Sequence, residues 1–392
     1  MGTHVLDDWR GLSLDELLRH CRDLVEDPDY PTVRRWRDAG GKVVGHFEVY
    51  FPEEIVSAAG LLPVKIHGAP IEARQGDAHF GSNLCSIVKT SLELALSGRL
   101  ELEMFVSHPI CDTARNLAAV WGRNVSYPCE ILYLPQNATS RHAATYLRGE
   151  YQRLQRGVEE IAGRTVSDDD LHRAIAVYNE NRRLLRRLYE IKRETPWLLQ
   201  VDEAYVLMAL GGRIPREEHN LLLTAIIPML EQRGTAPQDR MRIVFEGGFC
   251  EQPPLDLLTT IAQSSYVVDD DLLIGLRWLS EDVATDGDPL ANLATAYLDH
   301  SSYSPVQHDD RKPKEEMLLR RIRESGAGAA IISAAKMCEP GLDEQVPYVR
   351  ALESEGIPYF VNEFEENMTS FDSLQIQLET FIENVLFADA EV

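Results

Sequence analysis

KVVGHFEVYFPEEIVSAAGLLPVKI, residues 42–66, decides the fold. Its first ten residues are rich in apolar and β-branched side chains and read as a strand. That strand ends at Pro52, because proline has no N–H to give to a ladder. PEEIVSAAG places the proline at a helix start and two acids in the first turn, where they complement the helix dipole. Gly60 is the stop. LPVKI, residues 62–66, is the next strand. Two strands joined through a helix predict a parallel pair with the helix on one face.

The alternation continues outward from this unit. Residues 84–98 read as an amphipathic helix, EMFVSHP (103–109) as a strand, ICDTARNLAAVWG (110–122) as a helix and CEILYLP (129–135) as a strand. Upstream, SLDELLRHCRDLV (13–25) is a helix opened by a Ser13–Glu16 capping box, with Cys21 on its apolar stripe and so in the core. Residues 143–234 lose the strand signals: one helix runs from Ser167 to Pro196, and others cover 202–210 and 216–233. From Met241 the strands return at 242–249, 265–270, 328–337 and 357–364, with helices at 253–265, 344–356 and 373–387.

The two strand-containing regions look like copies of one plan. EMFVSHPICDTARN (103–116) and GAAIISAAKMCEPGLDEQ (328–345) both run strand, loop, cysteine, acid, helix. The expected fold is α/β: two similar open, mostly parallel α/β domains facing a cleft. An N-terminal helical segment covers 1–40, the first domain 41–142, a helical bridge 143–238 and the second domain 239–392. The cleft is lined by the carboxyl ends of strands, where such folds bind ligands.

The 392 residues carry 39 Lys and Arg against 63 Asp and Glu, a formal charge of −24, which argues against nucleic-acid and anionic-membrane partners. No apolar run approaches the roughly 20 residues of a membrane helix, and the first residues show no signal pattern, so a cytoplasmic location is expected. Six cysteines are too sparse for a disulfide framework, which leaves each thiol to packing or to chemistry.

Position sorts those thiols. Cys111, three residues after His108, and Cys338 hold equivalent strand exits; Cys250 sits at another. Cys85 opens a helix, an environment that favours thiolates. Cys129 enters a strand and faces the opposite end of its sheet. Three or four thiolates converging in the cleft suffice for an iron–sulfur cluster, with simple packing as the alternative for each. His108 is a candidate general acid or a backbone-bonded structural histidine, and Glu53 with Glu54 are candidate proton carriers or first-turn caps. Asp269–Asp271 read better as the start of a helix after their strand than as a cation site. No GxxxxGK[ST] motif is present, so no P-loop ATPase site is expected in this chain.

In order along the chain, VYFPEEIVSAAGLLPVKI (49–66), SNLCSIVKTSLE (82–93), FVSHPICDTARNLAAVWG (105–122), FEGGFCEQPPLDLL (245–258) and AAKMCEP (334–340) resemble landmarks of the benzoyl-CoA reductase and 2-hydroxyacyl-CoA dehydratase family. CDTARN and FEGGFCEQPP look most like the smaller of the two catalytic subunits in the ATP-dependent benzoyl-CoA reductase branch. The resemblance implies a [4Fe-4S] cluster held by Cys85, Cys111 and Cys338, with Cys250 open as a fourth ligand. It implies that the partner is a related, larger catalytic subunit. It also implies ATP-hydrolysing activator subunits with a bridging iron–sulfur cluster, and ferredoxin as electron donor. It further implies two-electron, two-proton reduction of the ring of benzoyl-CoA or a substituted analogue to a cyclohexa-1,5-diene-1-carbonyl-CoA. A 2-hydroxyacyl-CoA dehydratase subunit, or an electron-relay subunit whose partner binds substrate, are the alternatives. His108 and Glu53 remain the proton-transfer candidates.

Overall fold

The structure, a computed structural model, describes residues 9–47, 50–247, 252–272, 275, 279–302, 309–365, 368 and 370–390. Helix α1 (Leu14–Glu26) opens with the Ser13–Glu16 capping box and buries Leu17, Leu18, Cys21, Leu24 and Val25 along one stripe. Helix α2 (Pro31–Asp38) follows, with proline in its first turn. The first sheet is then laid down by β1 (Val43–Phe47), α3 (Glu53–Ala58), β2 (Leu62–Ile66), α4 (Arg74–Asp77), α5 (Ser86–Leu96), β3 (Met104–Ser107), α6 (Asp112–Asn124) and β4 (Cys129–Ile131). Its order is β2-β1-β3-β4, every pair parallel, with Val44 opposite Pro63 on one side and Met104 on the other. All five residues of β1 are buried, as expected of a strand covered on both faces. The described part of β1 runs to Phe47; Tyr50 and Phe51, expected in the same strand, are not part of it and are still buried.

Four helices follow: α7 (Ala143–Ala162), α8 (Asp168–Glu194), α9 (Val201–Leu210) and α10 (Arg216–Glu231). The second sheet comes from β5 (Met241–Glu246), α11 (Leu255–Ser264), β6 (Ser265–Asp270), α12 (Pro289–His300), α13 (Lys314–Ser325), β7 (Ala329–Ala335), α14 (Glu339–Glu355) and β8 (Tyr359–Phe364), and α15 (Asp372–Ala390) ends the chain. Its order, β6-β5-β7-β8, again all parallel, repeats the winding of the first sheet. Two similar parallel α/β units are therefore present.

Helix α8 ties the units together. At 27 residues it is about 40 Å long. Near its middle the Arg182 guanidinium pairs with Glu54 of α3, both buried. Near its end Lys192 pairs with Asp270, which also accepts from Tyr189 Oη at 2.7 Å, and Arg193 pairs with Asp269. This corrects one expectation. Asp269 and Asp270 belong to β6 and do not start a helix; their buried carboxylates are turned to the basic last turn of α8. A buried carboxylate needs a partner charge more than a helix needs a cap. One apolar cluster runs through both units, with Val44 and Ile243 alike in it. A smaller one lies on the other face of the second sheet around Val244, Ile332 and Leu352. Among the described residues no helix is long and apolar enough to cross a membrane.

Candidate functional site

In a sheet wound 2-1-3-4 the crevice opens between β1 and β3, outside their carboxyl ends. Phe47 ends β1 and Cys111 follows β3, and both line a cavity of about 150 Å³. Cys85, in the loop before α5, and Cys338, after β7 of the other sheet, line the same cavity. Three thiols far apart in sequence are thus brought to one space between the two units.

Each of the three is the N-cap residue of a helix: Cys85 of α5, Cys111 of α6 and Cys338 of α14. Three helix N-termini therefore meet at the cavity, and each brings a partial positive charge that favours an anionic occupant. Cys111 Sγ accepts a hydrogen bond from the Ala114 amide at 3.3 Å. Cys338 is set by a tight turn after β7, closed by its own N–H donating to Ala335 O at 3.1 Å. Met337 in that turn holds a φ of 63°, a conformation that costs a residue with a β-carbon about 1–3 kcal/mol. Gly341, in the first turn of α14, leaves room for the sulfur, since a β-carbon there would stand 3.3 Å from Cys338 Sγ.

The donor set fits an iron–sulfur cluster. Among the described residues no three His, Cys, Asp or Glu side chains stand close enough to grip one metal ion. Three thiols lining one small cavity are the donor type that iron–sulfur clusters take. Burial pushes the thiols of Cys21 and Cys129 up to about 12, so they stay protonated. Cys129 begins β4, at the far end of the sheet from the cavity. Cys250 lies outside the described residues.

His108 and Glu53 separate from one another. His108 lines a second cavity, beside the first. It is 6% exposed, its Nδ1 is 2.9 Å from Leu132 O, and burial pulls its pKa down to about 4, so it is neutral near pH 7. Glu53 lines neither cavity. Its Oε1 stands 3.1 Å from His46 Nε2, and its Oε2 accepts from Tyr178 Oη at 3.1 Å and from the Arg216 guanidinium. Burial by itself would raise its pKa; Arg216 and the His46 hydrogen bond outweigh it and hold the carboxyl well below the usual range. Its oxygens and its charge are taken up by His46 of β1, Tyr178 of α8 and Arg216 of α10. Sequence reasoning missed the second cavity. Arg115, one turn beyond Cys111, was a signal for it; Tyr133 and Tyr146, which also line it, had none.

Comparison with known proteins follows the same lines. The family described as 2-hydroxyglutaryl-CoA dehydratase, D-component, matches residues 48–385. One of the benzoyl-CoA reductase subunits of Thauera aromatica is 34% identical over 386 residues, covering 95% of this chain and 99% of that protein. The beta subunit of lactoyl-CoA dehydratase of Anaerotignum propionicum is 26% identical, covering 94% and 99%. The beta subunit of (R)-2-hydroxyglutaryl-CoA dehydratase of Acidaminococcus fermentans is 23% identical, covering 90% and 95%.

Proposed function

The chain belongs to the 2-hydroxyglutaryl-CoA dehydratase D-component family, and from that membership we propose that it is the iron–sulfur subunit of an ATP-dependent benzoyl-CoA reductase. The observation that carries the reading is the meeting of Cys85, Cys111 and Cys338, each at a helix N-terminus, on one cavity. These three residues would hold a [4Fe-4S] cluster, which supplies one-electron transfer at low potential. The protein's own contribution is electrostatic and steric. The three helix N-termini stabilise negative charge, and the Ala114 amide tunes one sulfur. Phe47, Leu84, Ile87 and Val88 keep the cavity wall apolar and limit water.

The reaction adds two electrons and two protons to benzoyl-CoA and gives a cyclohexa-1,5-diene-1-carbonyl-CoA. The electrons come from ferredoxin through ATP-hydrolysing activator subunits that carry their own bridging cluster, and the catalytic pair is completed by a larger, related subunit. The dehydratase beta subunits among the relatives support a second reading, dehydration of a 2-hydroxyacyl-CoA. A third, electron relay to a partner that binds substrate, draws on the relatives being subunits.

The test is anaerobic co-expression with the partner subunit, followed by iron and sulfide analysis and electron paramagnetic resonance. Cys85→Ser, Cys111→Ser and Cys338→Ser are each expected to lose the cluster signal, while Cys21→Ser and Cys129→Ser keep it. Full retention in the first three would remove the assignment. Cys250→Ser decides the fourth ligand. Turnover of benzoyl-CoA against a 2-hydroxyacyl-CoA separates reductase from dehydratase.

A further inference from the structure

A third cavity, of about 740 Å³, lies at the carboxyl end of β6, beside the last turn of α8, the end of α12 and one face of α13. Glu316, Arg320 and Arg323 of α13 line it and are exposed, so it opens to solvent. Lys312, in the turn before α13, lines it as well and is half-buried.

The surroundings of this lysine set it apart from the other six in the chain. Lys89, Lys192, Lys314 and Lys336 each pair with a carboxylate. Glu53 supports the charge on Lys65, and Lys42, at the surface, donates to Ile161 O at 2.6 Å. Among the described residues, the amine of Lys312 donates only to neutral oxygens, Ser301 O at 2.8 Å and Ser301 Oγ at 3.2 Å. A carboxylate partner holds the proton on a lysine, whereas neutral acceptors offset little of the cost of burying its charge. Burial pulls Lys312 down to about 8; Asp309 and Asp299 oppose the shift and Arg311 assists it. At pH 8 about half of it is then the free amine, against roughly 1% or less of an ordinary lysine. A free amine at the wall of an open cavity is a nucleophile.

Neighbouring charges limit the adduct it can carry. A carbamate would be anionic and repelled by Asp299 and Asp309, whose charges act on this amine. An acyl amide is neutral. It keeps one N–H, enough for Ser301 O, and it strands no carboxylate, since none pairs with Lys312 among the described residues.

We propose that Lys312 is a modification site, acylated by an activated acyl donor, either an acyl phosphate or an acyl thioester. The Nζ lone pair attacks the carbonyl carbon of the donor and a C–N bond forms. The C–O bond to phosphate, or the C–S bond, breaks; phosphate or thiolate leaves, and the amine proton passes to solvent. Nothing is oxidised or reduced. The product removes one positive charge and one of the two hydrogen bonds that hold the turn before α13 to Ser301, at the end of α12. This chemistry is independent of the thiol cavity and of the reaction proposed for it.

The test incubates the anaerobically purified complex at pH 8 with acetyl phosphate or with acetyl-CoA and follows acetyl occupancy at every lysine by mass spectrometry. Lys312 is expected to be labelled on the order of tenfold faster than Lys336, the gain in free amine less the loss in nucleophilicity and access. Lys336 is the comparison because it is exposed and paired with Glu365. Preference for Lys312 with either donor supports the site, and the donor that shows it names the source of the acyl group. No preference with either donor would overturn the proposal. Chain unfolded in guanidinium before the donor is added is expected to lose the preference. A preference that survives unfolding would put its cause in the local sequence and not in the cavity, and would overturn the proposal too.

Discussion

His108 carries its hydrogen on Nδ1 and stays neutral, and the same burial acts on two more histidines. Burial, reinforced by Arg216, pulls His219 down to about 3; burial, reinforced by Lys65, takes His67 well below its ordinary 6.5. A histidine whose pKa is lower folded than unfolded binds more protons when unfolded. Stability therefore falls as pH drops from about 6.5 toward 4, on the order of 1 kcal/mol per pH unit from each buried ring. Glu53, depressed in the fold, adds to the loss below its ordinary 4.5. Asp269 opposes it: burial, partly offset by Arg193, raises it to about 6, so it gains a proton in the folded state first. Urea midpoints between pH 7 and pH 4.5 should fall steadily, and His219→Gln should flatten the slope. A flat profile in the wild type would contradict the neutral-histidine account.

Among the elements, α8 has the most to lose from single substitutions. Arg182 and Glu54 are both buried, and removing one partner strands the other charge. Arg182→Met is expected to cost about 3–5 kcal/mol in urea unfolding. The double change Arg182→Met with Glu54→Gln is expected to recover a large part of it, because the stranded charge is gone. Equal losses in single and double variants would show that the pair is not what joins α8 to α3. Helix α14 makes a different point. Its start at Glu339, five residues ahead of the expected Glu344, is what makes Cys338 an N-cap. EPGLD looks like a loop because of its proline and glycine. Yet proline is at home in a first helical turn, and the glycine leaves space for the sulfur.

For the whole molecule, the two sheets share one apolar core, and a smaller core lies on the far face of the second sheet under α13 and α14. Hydrogen exchange should therefore open α13 and α14 before β1, β3 and β5; the reverse order would contradict this partition. The sequence by itself determined the alternation of strands and helices, the repeated winding of two parallel sheets and the identity of the five landmark motifs. Local propensity, turn residues and apolar periodicity act over a few residues and can be read in order along the chain. It could not say that Glu53 is consumed by Arg216, that Asp269 and Asp270 answer α8, or that His108 opens on a cavity beside the thiols. Those depend on partners more than twenty residues away. Burial and charge pairing between distant segments are settled only when those segments pack: α10 against α3, α8 against β6, and the chain after β4 against the turn after β3.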